Sequence, residues 1–175
     1  MEAAAAAMAE YFGRPGAGPE LAAELLDGVR VELARGAAAL PGAAELVRAC
    51  RAAVPIAVAS NSPRELLDTA LESAGLASSF THSFAADEVR SPKPAPDLYR
   101  TACEALGAAP EHSVAFEDSA TGVRAARAAG LYVAVVPSLP GGGLDHDWLG
   151  TTLDTPELST WAGRLVPASP AEPPS

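Results

Sequence analysis

The sequence predicts an α/β fold, Rossmann-like, in which helices flank a parallel sheet. Short apolar runs of the kind that form buried strands alternate along most of the chain with amphipathic helical patterns, and turn residues separate them. Strands that alternate with helices in this way form a parallel sheet with both faces covered. Hydrophobic residues make up 49% of the 175 residues, enough for a core, whereas aromatic residues make up only 5%, so the core must be aliphatic.

The first part of the chain contains helical patterns only. Helices are predicted over residues 2–12 and 19–35, and a third over about 42–53, after the break at GAAALPG. The apolar residues of the second helix recur at four-residue steps and make one face: Leu21, Leu25, Val29 and Leu33.

Four apolar runs after residue 54 are predicted strands, and a fifth short strand is expected. In order they are PIAVAS (55–60), THSFAA (81–86), SVAFED (113–118), LYVAVVP (131–137) and the short GTTLD (150–154).

Three helices connect these strands, over SPRELLDTALESAG (62–75), PDLYRTACEALG (96–107) and SATGVRAARAAG (119–130). In the first of them Ser62 is the expected N-cap, Pro63 suits the first helical position and Glu65 completes a capping box. The proline-rich tail, residues 166–175, is expected to be disordered.

Composition excludes several classes of function. The net charge of −10 argues against non-specific binding to nucleic acid or to an anionic membrane. No apolar run approaches the roughly 20 residues of a membrane span, and the alanine run at residues 3–7 lacks the basic flank of a signal peptide. Cys50 and Cys103 lie in alanine-rich helical text and are expected to be buried, reduced thiols. These features favour a soluble, cytoplasmic protein.

Polar residues cluster after the predicted strands. Ser60 and Asn61 end the first strand, Lys93 follows the second, and Glu117 and Asp118 end the third. Ligands of open α/β sheets bind outside the carboxyl ends of the strands, so these side chains are expected to meet. Lys93 is the only lysine in the chain.

Each group has a chemical and a structural interpretation. Ser60, with Asn61 and nearby helix amides, can bind an anion, Lys93 adds a compact charge, and Glu117 with Asp118 offers oxygen ligands to Mg²⁺. Taken singly, the same residues are more often a helix cap, a surface charge and a helix-dipole pair. Three such groups in consecutive turns of one sheet indicate a phosphate site with a divalent metal.

Other candidate motifs give weaker evidence of a functional site. The three histidines, His82, His112 and His146, show no ligand spacing. PGGG (140–143) could approach a phosphate with its backbone, but it lacks the rest of a P-loop and is expected to be a flexible loop.

The motifs VASNS, KPAPDLY and FEDSATG, in this order, resemble those of the haloacid dehalogenase superfamily of phosphohydrolases. The nearest resemblance is to its branch of β-phosphoglucomutase-like and phosphoglycolate-phosphatase-like enzymes, and PGAAELV resembles the point where the chain re-enters the core from the cap domain. The resemblance implies Mg²⁺-dependent phosphoryl transfer on a small phosphorylated metabolite, such as a sugar phosphate.

The resemblance also implies residue roles. Ser60 and Lys93 would be catalytic, with Ser60 and Asn61 binding the phosphoryl oxygens and Lys93 neutralising the charge on the phosphoryl group and the nucleophile. Asp118 would be a metal ligand, and Glu117 a second ligand or the acceptor for a metal-bound water.

One family motif, the D-x-D pair that supplies the nucleophile, is absent before Ser60. Asp27 is the only aspartate there, and DHD (145–147) follows all the other motifs. Residues 1–36 are similar to the end of a helical cap and residues 37–165 to a core without its first strand. We therefore expect an N-terminally truncated, inactive chain.

The missing strand would lie between PIAVAS and SVAFED, so these two either pair directly or keep unpaired edges. Three alternatives stay open: a dead phosphometabolite-binding protein, a protein whose sheet a partner completes, and a phosphomutase in full-length form.

Overall fold

A computed structural model of the chain describes residues 2–138 and 143–165. The chain divides after Ala38 into two compact units, two residues beyond the predicted boundary. That the first unit is part of a cap domain stays a prediction. The predicted disordered tail and most of the PGGG segment lie outside the described residues.

The first unit is a helix pair, α1 (Glu2–Tyr11) and α2 (Gly18–Arg35), as predicted. Small residues let the two helices approach closely. A Cβ added at Gly18 would lie 3.1 Å from the backbone of Ala6, and the buried side chains of the pair are alanines: Ala5, Ala9 and Ala22.

The second unit alternates helices and strands as the sequence predicts. Its elements are α3 (Ala43–Ala53), β1 (Ala57–Ala59), α4 (Arg64–Ser73), β2 (His82–Phe84), α5 (Asp97–Leu106), β3 (Val114–Glu117), α6 (Ala120–Ala129), β4 (Tyr132–Val135), β5 (Trp148–Leu149) and α7 (Pro156–Ala162).

One local prediction about these elements was wrong, and one element was missed. GTTLD is not a strand; the fifth strand lies just before it, at Trp148–Leu149, where the chain pairs with β4. Helix α7 was not predicted, although Thr155 caps it by accepting a hydrogen bond from the N–H of Leu158 at 3.2 Å, and Pro156 opens it.

The predicted capping box of α4 was also wrong. The helix begins at Arg64, without a side-chain cap from Ser62. The carboxylate of Asp87, in the loop after β2, accepts the N–H of Arg64 at 3.0 Å instead. The Arg64 guanidinium also donates to the carbonyl of Ser83 at 2.6 Å and pairs with Glu88. A tertiary contact thus replaces the local cap and joins the start of α4 to β2.

The strands form two parallel sheets rather than one, β1–β2 and β3–β4–β5. The parallel α/β class is confirmed. PIAVAS contains β1 and SVAFED contains β3. These strands were expected either to pair directly or to keep unpaired edges, and in the structure they do not pair with each other.

The main core surrounds β3, β4 and α6. Among the described residues, the largest fully buried side chains are Leu98, Val133 and Val135. Cys50 and Cys103 are buried and free, as predicted. Among the helices of the described ranges, none has the length and apolar character needed to cross a bilayer.

Candidate active site

The loop after β1 holds the lysine segment by its backbone. The side-chain amide of Asn61 accepts the N–H of Lys93 at 2.8 Å and donates to the carbonyl of the same residue at 2.9 Å. This two-point contact fixes the direction in which the Lys93 side chain leaves its loop. Asn61 therefore positions Lys93, a role that the sequence did not predict.

Ser60 lies directly before Asn61, at the end of β1. Its backbone N–H donates to the carbonyl of Phe84 on β2 at 2.9 Å, and its Oγ accepts the N–H of Ser62 at 3.1 Å. Because the hydroxyl acts as an acceptor in this contact, its own proton can be donated to a ligand.

The ammonium of Lys93 is buried in a network of three side chains. Only 9% of the lysine side chain is exposed, and its Nζ pairs with Glu117 Oε1. It also donates to the hydroxyl of Tyr99 at 3.2 Å and lies 4.6 Å from the centre of that ring, within cation–π range. The lone lysine is therefore not a solvated surface charge.

Tyr99 completes the network by donating its hydroxyl proton to Glu117 Oε1. Burial raises the pKa of Tyr99, and the carboxylates of Glu117 and Asp118 raise it further. The phenol therefore stays protonated and acts as a donor to Glu117. The sequence analysis missed Tyr99, although it closes the KPAPDLY motif.

Glu117 ends β3, and its carboxylate lies against the first turn of α6. A Cβ added at Gly122 would lie 1.8 Å from Glu117 Oε2. Only glycine leaves room for the carboxylate at this point, so Gly122 belongs to the site as well. The serine of the same motif, Ser119, caps α6 by accepting the N–H of Gly122 at 3.1 Å.

Asp118 is exposed at the edge of this network. Mg²⁺ takes about six oxygen ligands, whereas the described residues contain no group of three histidine, cysteine or acidic side chains that could hold a metal ion. The Glu117 carboxylate already accepts hydrogen bonds from the Lys93 ammonium and the Tyr99 hydroxyl. These residues offer a metal one exposed carboxylate, Asp118, and do not by themselves fit a complete Mg²⁺ site.

The acidic pair of the DHD segment is engaged elsewhere. Arg127 donates to Asp147 at 2.6 Å and to Asp145 at 3.2 Å, and the N–H of Val133 donates to Asp147 at 2.7 Å. The backbone contact and Arg127 lower the pKa of Asp147. These carboxylates tie the start of β5 to β4 and α6.

Asn61, Lys93 and Glu117 thus form one chain of contacts, with Ser60 and Asp118 adjacent to it in sequence. Comparison with known proteins agrees with this arrangement of motifs. The model of the haloacid dehalogenase-like hydrolase family matches residues 6–130. The chain belongs to this family. The expected superfamily is confirmed.

Relatives support the predicted branch. Protein CbbY of Rhodobacter capsulatus is 38% identical over 138 residues, which are 75% of this chain and 59% of that protein. Fructose-1-phosphate phosphatase YqaB of Escherichia coli is 35% identical over 111 residues, 63% of this chain and 58% of that protein. The chain thus spans less than two thirds of the length of these relatives.

A solved structure shows the same fold. A mutant of CbbY from Rhodobacter sphaeroides, in complex with xylulose-(1,5)-bisphosphate, superposes with a TM-score of 0.65 at 32% identity. The match covers 70% of this chain and 58% of that one.

Proposed function

We propose that this chain carries part of the active site of a Mg²⁺-dependent phosphohydrolase that acts on a small phosphorylated metabolite, with a sugar phosphate favoured. One observation carries the proposal: the single lysine of the chain is buried at the carboxyl ends of the strands, held at its backbone by Asn61 and at its ammonium by Glu117. Phosphoryl transfer depends mainly on positioned charge, which such a lysine supplies.

The names of two relatives support the substrate class. YqaB is named a fructose-1-phosphate phosphatase, and the CbbY structure contains a sugar bisphosphate. Both proteins are similar to this chain, so a sugar phosphate is the first substrate class to test.

Each site residue has a proposed role. The Ser60 hydroxyl donates to a phosphoryl oxygen, and Asn61 assists through the lysine loop that it holds. Lys93 neutralises phosphoryl charge, and Glu117 positions its ammonium. Asp118 is the ligand that this chain offers to Mg²⁺, and water and phosphoryl oxygens would supply further ligands.

The 175-residue chain alone is proposed to be inactive. No D-x-D pair precedes Ser60, and both carboxylates of DHD are engaged by Arg127. The site keeps Ser60 and Lys93 but has no nucleophile. For the chain by itself this favours a second candidate function, which is binding of a phosphometabolite without turnover. The cytoplasmic location stays a prediction from composition.

The test separates binding from turnover. Release of phosphate from p-nitrophenyl phosphate and fructose 1-phosphate, with and without Mg²⁺, should be absent. Titration with fructose 1-phosphate, followed by NMR shifts of the Ser60, Asn61 and Lys93 amides, should show saturable binding.

Lys93→Ala should weaken that binding by roughly 10- to 100-fold, the effect of losing one charged hydrogen bond. Arg90→Ala is the matched control, because it removes an exposed positive charge from the same loop and should change binding little. Turnover that Lys93→Ala abolishes would overturn the proposed inactivity. Binding that Lys93→Ala leaves unchanged would overturn the phosphate site.

A further inference from the structure

We propose that Arg64 and Glu88 form an edge lock on β2. Together they occupy the backbone groups through which this strand would otherwise pair with β2 of a second copy of the chain. The lock is the ion pair of the two side chains, and the edge is the side of β2 (His82–Phe84) that faces away from β1. The proposal rests on the hydrogen bonds at that edge and does not depend on the phosphatase proposal.

The pairing of β2 with β1 decides which residues face outward. The N–H of Ser60, at the end of β1, donates to the carbonyl of Phe84 at 2.9 Å, so Phe84 faces β1. Successive residues of an extended chain direct their backbone groups to opposite edges. Ser83 and the equally extended Ala85 (φ −105°, ψ 163°) therefore face away from β1. Among the strands that the structure describes, β1 is the only partner of β2.

The two locking side chains take the place of a neighbouring strand at this edge. The guanidinium of Arg64 donates to the carbonyl of Ser83 at 2.6 Å, and the carboxylate of Glu88 accepts the N–H of Ala85 at 2.9 Å. The two side chains are joined to each other, with Arg64 Nε 2.9 Å from Glu88 Oε1. One residue of a parallel strand would bond the same carbonyl and the same N–H.

Local capping accounts for only half of this arrangement. Glu88 is the third residue of the turn Ala86–Glu88, and a glutamate there commonly bonds the N–H that precedes the turn. Arg64, however, begins α4 and lies 19 residues away from Ser83 in the sequence. Ion pairs near the surface contribute little to stability, whereas charged side chains at an open strand edge prevent edge-to-edge pairing.

A second copy of β2 is the partner that this edge fits. Ser83 directs both its N–H and its carbonyl outward, so two copies related by a two-fold axis can exchange both bonds at this residue in an antiparallel pair. In each copy that pair needs the Ser83 carbonyl, which Arg64 occupies. Pairing of two unmodified chains therefore requires both locks to break.

Arg64→Ala opens the edge, and sedimentation equilibrium measures the result. Dimerisation should become roughly 100-fold stronger than in the unmodified chain, because neither copy now gives up a charge-assisted hydrogen bond, each worth about tenfold or more. Hydrogen exchange read by NMR identifies the surface. Exchange of the Ser83 amide should slow as the protein concentration rises in the variant, and should not depend on concentration in the unmodified chain.

Arg100→Ala is the matched control. The Arg100 guanidinium also donates to a backbone carbonyl, that of Ala128 at 3.3 Å, but this carbonyl lies on a helix and not on a strand edge. Its loss should leave dimerisation unchanged. An equal gain in dimerisation from Arg100→Ala and Arg64→Ala would overturn the proposal.

A reversed pair separates the lock from the ion pair. Arg64→Glu combined with Glu88→Arg keeps the net charge and two opposite charges, but it places an acceptor at the Ser83 carbonyl and a donor at the Ala85 N–H. This variant should dimerise as strongly as Arg64→Ala. If it stays as monomeric as the unmodified chain, the ion pair alone matters and the lock is refuted.

Ser83→Pro tests whether the association uses this edge. Proline has no N–H and is tolerated at strand edges, so adding it to Arg64→Ala should return dimerisation to the level of the unmodified chain. Association that persists there, or that leaves the Ser83 amide of Arg64→Ala unprotected, uses another surface and overturns the proposal. No gain in dimerisation from Arg64→Ala does the same. If Arg64→Ala does not fold, Glu88→Ala opens the lock from its other side and should strengthen dimerisation at least about tenfold; no gain would refute the lock.

Discussion

Replacing Gly122 by alanine should destabilise the second unit, even though alanine is the better helix former. Gly122 is the third residue of α6. A Cβ added there would lie 1.8 Å from Glu117 Oε2 and 2.0 Å from its carboxyl carbon. Both distances are far inside van der Waals contact, so the Glu117 carboxylate must move.

The magnitude follows from two opposing effects. Alanine in place of glycine stabilises a helix by about 1 kcal/mol. Moving Glu117 breaks a buried pair, because the side chains of Lys93 and Glu117 are only 9% and 6% exposed. Breaking such a pair costs about 3–5 kcal/mol. The net loss should therefore be about 2–4 kcal/mol.

Urea unfolding followed by circular dichroism measures this change, and Gly28→Ala is the matched control. Gly28 lies inside α2 with nothing within 4 Å of an added Cβ. There alanine should stabilise the first unit by about 0.5–1 kcal/mol.

A double-mutant cycle with Glu117→Ala is decisive. Without the carboxylate, Gly122→Ala has nothing to displace and should be neutral or stabilising by up to about 1 kcal/mol. If Gly122→Ala is stabilising in the wild-type chain, or equally destabilising in both backgrounds, the reasoning about Glu117 is refuted.

Three further predictions concern single contacts. Tyr99→Phe removes the hydroxyl between Lys93 and Glu117 and should lower the free energy of unfolding by about 1–2 kcal/mol in urea titrations; unchanged stability would contradict the network. Asn61→Ala frees the lysine loop and should weaken fructose 1-phosphate binding by roughly tenfold, whereas an unchanged dissociation constant would argue against a positioning role. Arg64 lowers the pKa of Glu88 in the folded chain, so the ionised Glu88 stabilises the fold. That stabilisation is complete above the unfolded pKa of about 4.3 and is lost as the pH falls through the lower folded value. Glu88→Gln should therefore flatten the plot of unfolding free energy against pH in this range, whereas the same change at the exposed Glu104 should not.

Most secondary structure could be predicted because its signals are local. Helix α6 shows this: Ser119 caps its start and Gly130 ends it in the left-handed region, φ +88°. The start of α4 was mispredicted because Asp87, 23 residues away from Arg64, supplies the cap. Strand β5, only two residues long, depends on pairing with β4 and has no local signal of its own.

The site could be predicted in part for a similar reason. Ser60 and Lys93 follow β1 and β2, and Glu117 ends β3, so the parallel topology alone brings them to one end. Tyr99 lies on α5, and its place in the network depends on how that helix packs. The need for glycine at position 122 becomes visible only when the direction of the Glu117 side chain is known.

Lys93 connects the two sheets that the backbone leaves apart. Its main chain is bound by Asn61, which follows β1, and its ammonium is bound by Glu117, which ends β3. Any change in the spacing of β1 and β3 therefore acts on both anchors of the lysine.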